Sequence, residues 1–243
     1  MSALIAGHMF MATFTALHSL YRVMKPYRVG IYGPSMTGKT TLDQYLTVPG
    51  DIDPIPDAFR TTHAKSYNIL GHAMPKVSRK QIRWESEKKT VSTTDIAGQS
   101  QFRNMWIEDM FGREVELIIY MIDHRSMNSL QFTLDAVAGF NYLIDNITKK
   151  SVSKAISRHA KKKSKKYTPK VFCLMINKMD VWWDHSAEQL MSHNLLREHP
   201  IALPYRDGLK RLRKAGIRAE VLPISAQHGI NVAKVFSGLI ADF

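Results

Sequence analysis

The stretch Gly33-Pro34-Ser35-Met36-Thr37-Gly38-Lys39-Thr40 follows directly on the run Tyr27-Arg28-Val29-Gly30-Ile31-Tyr32, and no other feature constrains the fold as tightly. Its spacing, G-x-x-x-x-G-K-[ST] between a short apolar strand and a helix-compatible run, is that of a phosphate-binding loop. A helix is predicted from Lys39 to about Thr47. Glycines at both ends let the backbone curl so that successive N–H groups and the helix N-terminus converge on phosphate oxygens. Lys39 adds a mobile positive charge, and the Thr40 hydroxyl is placed to hold Mg²⁺, an ion that keeps several waters and bridges phosphate oxygens.

At 243 residues the chain accommodates one α/β domain with insertions. Its single cysteine, Cys173, lies in the apolar run Val171-Phe172-Cys173-Leu174-Met175-Ile176. That excludes disulfides within the chain, fits a reducing, cytoplasmic compartment and suggests core packing. The net charge of +13 points to an anionic partner. The excess is concentrated: between Lys149 and Lys170 there are ten Lys or Arg and no acidic residue. A segment so basic cannot bury a core and is expected to be an exposed insertion.

Residues 2–20 carry no formal charge, and Arg22, Lys25 and Arg28 follow them. A signal peptide has its basic segment first, and His8, Thr13, Thr15, His18 and Ser19 dilute the stretch too far for a membrane span. Wound as a helix, Ile5, Met9, Phe10, Phe14, Leu17, Leu20 and Tyr21 share one side. Residues 1–25 are therefore expected to form an amphipathic helix that packs on the domain or lies on a membrane surface. Ser2 excludes N-myristoylation, which requires glycine.

Residues 26–243 read as one domain of alternating strands and helices. Residues 48–56 form a loop rich in turn formers. His63–Leu70 and Thr90–Ile96 are predicted strands, joined by the polar stretch 71–89. Val115–Ile122 is nearly all apolar, as a strand covered on both faces should be. Leu130, Leu134, Val137, Phe140 or Asn141, and Ile144 recur at helical spacing, and Lys170–Ile176 and Ala219–Ile224 complete the strands. Motifs at strand ends in this order indicate a phosphate-loop α/β fold: a mostly parallel central sheet of about six strands, helices on both faces, and a ligand across the carboxyl edge.

The motifs in sequence are Gly33–Thr40, then Thr61 or Thr62, then Asp95-Ile96-Ala97-Gly98-Gln99, then Asn177-Lys178-Met179-Asp180, then Ser225-Ala226. This series resembles the Ras superfamily of small GTPases, with the Asp-Ile-Ala-Gly-Gln form similar to its Ras and Arf-like members. The resemblance implies a GTP-binding switch that hydrolyses GTP to GDP with Mg²⁺. It assigns Gly33, Pro34, Ser35, Met36, Thr37, Gly38, Lys39, Thr40, Thr41, Thr61, Asp95, Gly98, Asn177, Lys178, Asp180, Ser225 and Ala226 to nucleotide binding. Thr40, Thr61 and Asp95 would hold the metal, and Lys39 and Gln99 would serve catalysis. Gln99 would orient the attacking water, and its amide can accept from water while donating to the transferred phosphoryl group. Asp180 would read the N1 and N2 donors of guanine, framed by Asn177 and Lys178, and the Ser225-Ala226 backbone would donate to the guanine oxygen. Arg60-Thr61-Thr62 resembles the double-threonine form of heterotrimeric G-protein α subunits. Those carry an arginine where this chain has Ala58, so slow intrinsic hydrolysis and an activating partner are implied. Ser35 also departs from Ras, which has glycine there.

Effectors and regulators are the partners the resemblance implies. An anionic membrane surface is a further expected partner, through the N-terminal helix and the basic insert, and would give peripheral attachment. An alternative is a weakly hydrolysing GTP-binding subunit of a membrane-anchored complex, similar to the signal-recognition-particle receptor β subunit. An ATPase acting on nucleic acid would leave Asp180 unexplained, so nucleic acid is not expected as the primary partner.

Overall fold

In the computed structural model, residues 27–47, 78–84, 89–148 and 167–240 are described. The six strands among these described residues are β1 (Tyr27–Tyr32), β2 (Ser78–Trp84), β3 (Lys89–Asp95), β4 (Leu117–Ile122), β5 (Val171–Ile176) and β6 (Arg218–Pro223). They form a single sheet in the order β2-β3-β1-β4-β5-β6. β2 runs antiparallel to β3, and all other pairings are parallel. The helices are α1 (Lys39–Thr47), α2 (Arg103–Arg113), the single turn α3 (Arg125–Asn128), α4 (Leu130–Thr148), the single turn α5 (Met179–Trp182), α6 (His185–Ser192), α7 (Arg206–Lys214) and α8 (Val232–Ile240).

β4 and β5 are buried at every position. Their side chains alternate between two cores, as a period of two requires. Ile118, Tyr120 and Ile122 face a core with Trp106 of α2, Phe140 of α4 and Leu209 of α7. Leu117, Ile119 and Met121 face a second core with Leu42 of α1 and Phe236 of α8. Both faces of the parallel sheet are thus covered, which explains its near-continuous apolar runs. Cys173 lies in the second core, fully buried, and burial pushes its thiol pKa up. It packs as a small apolar side chain.

Two expectations are corrected. β2 spans Ser78–Trp84, inside the stretch predicted to be a connection. Its sequence, with Arg79, Lys80 and Arg83, lacks the apolar pattern of an inner strand. It pairs at the sheet edge, where charged residues oppose unwanted strand addition. The α4 stripe is also shifted in part: Phe140 and Ile144 are buried as expected, but Leu130 and Leu134 are exposed, and Ala136, Gly139 and Leu143 complete the buried face. Ser129 separates α3 from α4 and starts the latter, its Oγ accepting from the Phe132 N–H at 3.3 Å.

α2 is bolted to the sheet. Trp106 is fully buried and donates from Nε1 to the Ala97 carbonyl at 3.1 Å. One turn further on, the Asp109 carboxylate accepts from the Tyr32 hydroxyl at 2.8 Å and from Arg113 at 2.7 and 2.8 Å. Arg113 also donates to the Val29 carbonyl of β1 at 3.1 Å.

The predicted N-terminal helix (1–25), the loop 48–56, Ala58, Thr61, Thr62, the predicted strand His63–Leu70 and most of the basic insert (149–166) lie outside the described residues. Among the described residues no helix is long and apolar enough to cross a membrane.

Candidate functional site

The carboxyl ends of β1, β3, β4, β5 and β6 lead into Gly33, Ile96, Asp123, Asn177 and Ile224, along one edge of the sheet. Parallel strands with their helices behind them leave this edge open for a ligand. β3 pairs with β1 so that Asp95 stands opposite Ile31, two residues before Gly33. α1 is tied to β3 by the Thr93 hydroxyl, which donates to Asp43 Oδ1 at 2.6 Å, both residues being buried.

Residues 33–40 form a tight loop whose backbone polarity is set from outside. Three successive carbonyls are held by side chains from other loops: Arg125 Nη2 donates to Ser35 O at 3.1 Å, Lys178 Nζ to Met36 O at 3.3 Å, and Asn177 Nδ2 to Thr37 O at 2.8 Å. A trans peptide unit points its C=O and the following N–H in opposite directions. The N–H groups of Met36, Thr37 and Gly38 therefore face away from these three side chains, toward the concave side of the loop. Such a run of N–H groups is a nest for an anion. Lys39 is buried with Nζ 2.8 Å from the Pro34 carbonyl, which also accepts from the Thr37 hydroxyl at 3.0 Å. Thr40 and Thr41 are half-buried in the first turn of α1.

Glycine is required where other chain crosses the loop. A Cβ on Gly33, at φ 134°, would lie 2.3 Å from the Met121 carbonyl, and one on Gly38, at φ 89°, would lie 2.2 Å from Asn177 Nδ2. Gly98 packs against the loop itself, since a Cβ there would sit 2.4 Å from Gly33 O. Gln99 follows, half-buried, its Oε1 accepting from Gln101 Nε2 at 3.1 Å.

Asn177 links the loops. Besides bonding Thr37 O, its Oδ1 accepts from the Ala226 N–H at 2.8 Å. That N–H, expected to face a base oxygen, here braces Asn177. Ser225 is buried, and its N–H bonds Ile230 O at 3.0 Å. Lys178 takes the left-handed conformation, φ 57°, which turns Asp180 into the first turn of α5. Asp180 is exposed, with His228 Nε2 at 3.9 Å from its Oδ2.

Sequence reasoning missed Asp123 and Arg125. Asp123 is fully buried just past β4, where it accepts from Arg125 at 2.9 Å and from Lys178 Nζ at 2.8 Å. An acid at the end of a central strand with arginine two residues later was the available signal. Burial alone would raise the Asp123 carboxyl pKa. The hydrogen bonds and charges of Arg125 and Lys178 outweigh burial and hold it below its ordinary value. A carboxyl depressed in the folded chain stabilises it above the ordinary value, about pH 4, and that contribution drains as pH falls through the lower folded value. Asp123→Asn is expected to lower stability by about 3 kcal/mol at neutral pH, because it leaves two cations without their counter-charge. Denaturation series down to about pH 3 should show the gap to the parent closing in acid.

No family model matches the chain, and no curated protein matches it. Among solved structures, the fold is similar to that of the Arl6 (BBS3) small GTPase from Trypanosoma brucei with bound GppNp. The TM-score is 0.52 and the identity 14%, over 88% of this chain and 95% of that one. The bacterial selenocysteine-specific elongation factor EF-Sec also matches, with TM-score 0.45 and 15% identity over 90% of this chain, which spans 29% of the elongation factor's length. The chain has a phosphate-loop α/β fold, similar to that of the Arl6 structure.

Proposed function

We propose that this protein binds GTP and GDP with Mg²⁺ and hydrolyses GTP slowly, its two nucleotide states being read by other proteins. The observation that carries this reading is the outward fixing of the Ser35, Met36 and Thr37 carbonyls; by peptide geometry the three N–H groups that follow point the other way, where a phosphate could accept from them. Asp180 stands on the same connection that supplies two of the three gripping residues. An anion site joined to a carboxylate one connection away suits a phosphate chain carrying a base with two adjacent donors.

The donor set suits Mg²⁺: Thr40 and Asp95 offer hard oxygens and only one carboxylate, leaving room for waters and phosphate oxygens. Thr61 would complete the set in the triphosphate state. The bound ion would neutralise charge on the phosphates. Lys39 would move from Pro34 O to a phosphate oxygen, the loop N–H groups would orient the chain, and Gln99 would leave Gln101 to hold the attacking water.

Calorimetric titration with GDP, a non-hydrolysable GTP analogue and ATP, each with Mg²⁺, tests the assignment. Equal affinity for ATP and GTP would remove guanine as the base. Gln99→Leu is expected to slow single-turnover hydrolysis by about a hundredfold or more with GTP affinity nearly unchanged, because the glutamine acts on the water and not on the ground-state nucleotide. Rates equal to the parent's would assign water positioning to another residue.

A further inference from the structure

Arg125 is held in one orientation by three kinds of contact. Its guanidinium forks onto Asp123, with Nε 2.9 Å from Oδ1 and Nη2 2.9 Å from Oδ2. Its carbon lies 4.2 Å above the Phe132 ring. Nη2 also donates to Ser35 O, 3.1 Å away in the phosphate loop. The residue that follows Ser35 is strained: Met36 is a non-glycine residue at φ 64°. A side chain in that region is strained, and it persists only when its surroundings over-determine it. Flipping the Ser35–Met36 peptide would relieve the strain, but it would also turn the Met36 N–H out of the concave face. Arg125 holds the carbonyl before Met36 and Lys178 holds the carbonyl after it.

We infer that Arg125 is a positioning residue for the phosphate loop, pinning the Ser35–Met36 peptide and thereby setting how long a bound nucleotide stays. The inference rests on the nucleotide-binding reading above. A direct part in cleavage does not fit: the guanidinium lies behind the carbonyls, on the side opposite the N–H nest, with its charge committed to the buried Asp123.

The test measures dissociation of a fluorescent GDP analogue from the full chain, alongside single-turnover hydrolysis at saturating GTP, in the parent, Arg125→Ala, Arg125→Lys and Met36→Gly, and in Arg125→Ala combined with Met36→Gly. Arg125→Ala should speed dissociation by about tenfold or more, the order expected for one lost charge-assisted hydrogen bond, and change the hydrolysis constant far less. Arg125→Lys keeps a cation near Asp123, but its compact ammonium lacks the planar fork that spans Asp123 and the Ser35 carbonyl together, so it should fold like the parent and still release GDP faster. Glycine at position 36 carries no left-handed cost, so the effect of Arg125→Ala should shrink in the Met36→Gly background. Unchanged dissociation in both Arg125 variants would overturn the inference. So would a loss confined to the hydrolysis constant, or an effect equally large in both backgrounds. A parent that binds no guanosine nucleotide would instead overturn the underlying reading, and the inference with it.

Discussion

Asp180→Ala is expected to weaken binding of GDP and GTP by about a hundredfold to a few thousandfold, while ATP binding hardly changes. The carboxylate has two acceptor oxygens, and a guanine edge offers two neighbouring N–H donors that match them. Losing two charge-assisted bonds and leaving the base's donors unmatched is worth roughly 3–5 kcal/mol. Adenine has no such donor pair, so it gains nothing from the carboxylate and loses nothing with it. Asp180→Asn sharpens the test, because an amide presents one acceptor and one donor in the same place. That pairing fits a purine with N1–H and a 2-oxo group, so xanthosine nucleotides should bind better as guanosine nucleotides bind worse. Titration of the three proteins with the three nucleotides separates base reading from phosphate binding. A uniform loss across all bases would mean that Asp180 supports the loop and does not read the base.

Asp109→Ala is expected to destabilise the fold by about 3–5 kcal/mol, lowering the melting temperature by on the order of 10 °C. Asp109 is 8% exposed and holds both the fully buried Tyr32 hydroxyl and the Arg113 guanidinium. Removing the carboxylate takes the counter-charge from a half-buried cation and the acceptor from a fully buried hydroxyl, and the cost is the unmet desolvation of both. Because this group joins α2 to β1, the helix that follows Gln99 should loosen before the rest of the sheet. Hydrogen exchange in α2 would report it. Replacing Tyr32, Asp109 and Arg113 together by Phe, Leu and Met removes every member of the network and should recover most of the loss. A single variant that melts with the parent would show that the network adds no net stability.

The membrane expectation concerns residues 1–25 and 149–170 and stands as a proposal. Flotation with anionic and neutral vesicles, using the full chain and forms lacking each segment, separates surface attachment from packing on the domain.

The order of motifs along the chain determined the fold class and pointed to the sheet edge where the candidate site lies. Gly33, Gly38 and Lys39 have a spacing that only a strand, a curled loop and a helix can satisfy, and a stretch such as Val171–Ile176 is too apolar to be anything but an inner strand. Those signals are local: each is legible in a few consecutive residues, even though the contacts that require the glycines and bury the strand come from elsewhere in the fold. Tertiary structure decided what depends on partners far apart in sequence. Ser78–Trp84 is a strand because β3 offers it an edge, and nothing in its own polar pattern predicts that. Leu130 and Leu134 share the helical spacing of the buried residues, yet they lie exposed because burial depends on which face of α4 meets the sheet. Asp123 and Arg125 belong to the site because folding brings the end of β4 against Ser35, 90 positions away, where a buried carboxylate must gather cations and those cations find the carbonyls of the loop.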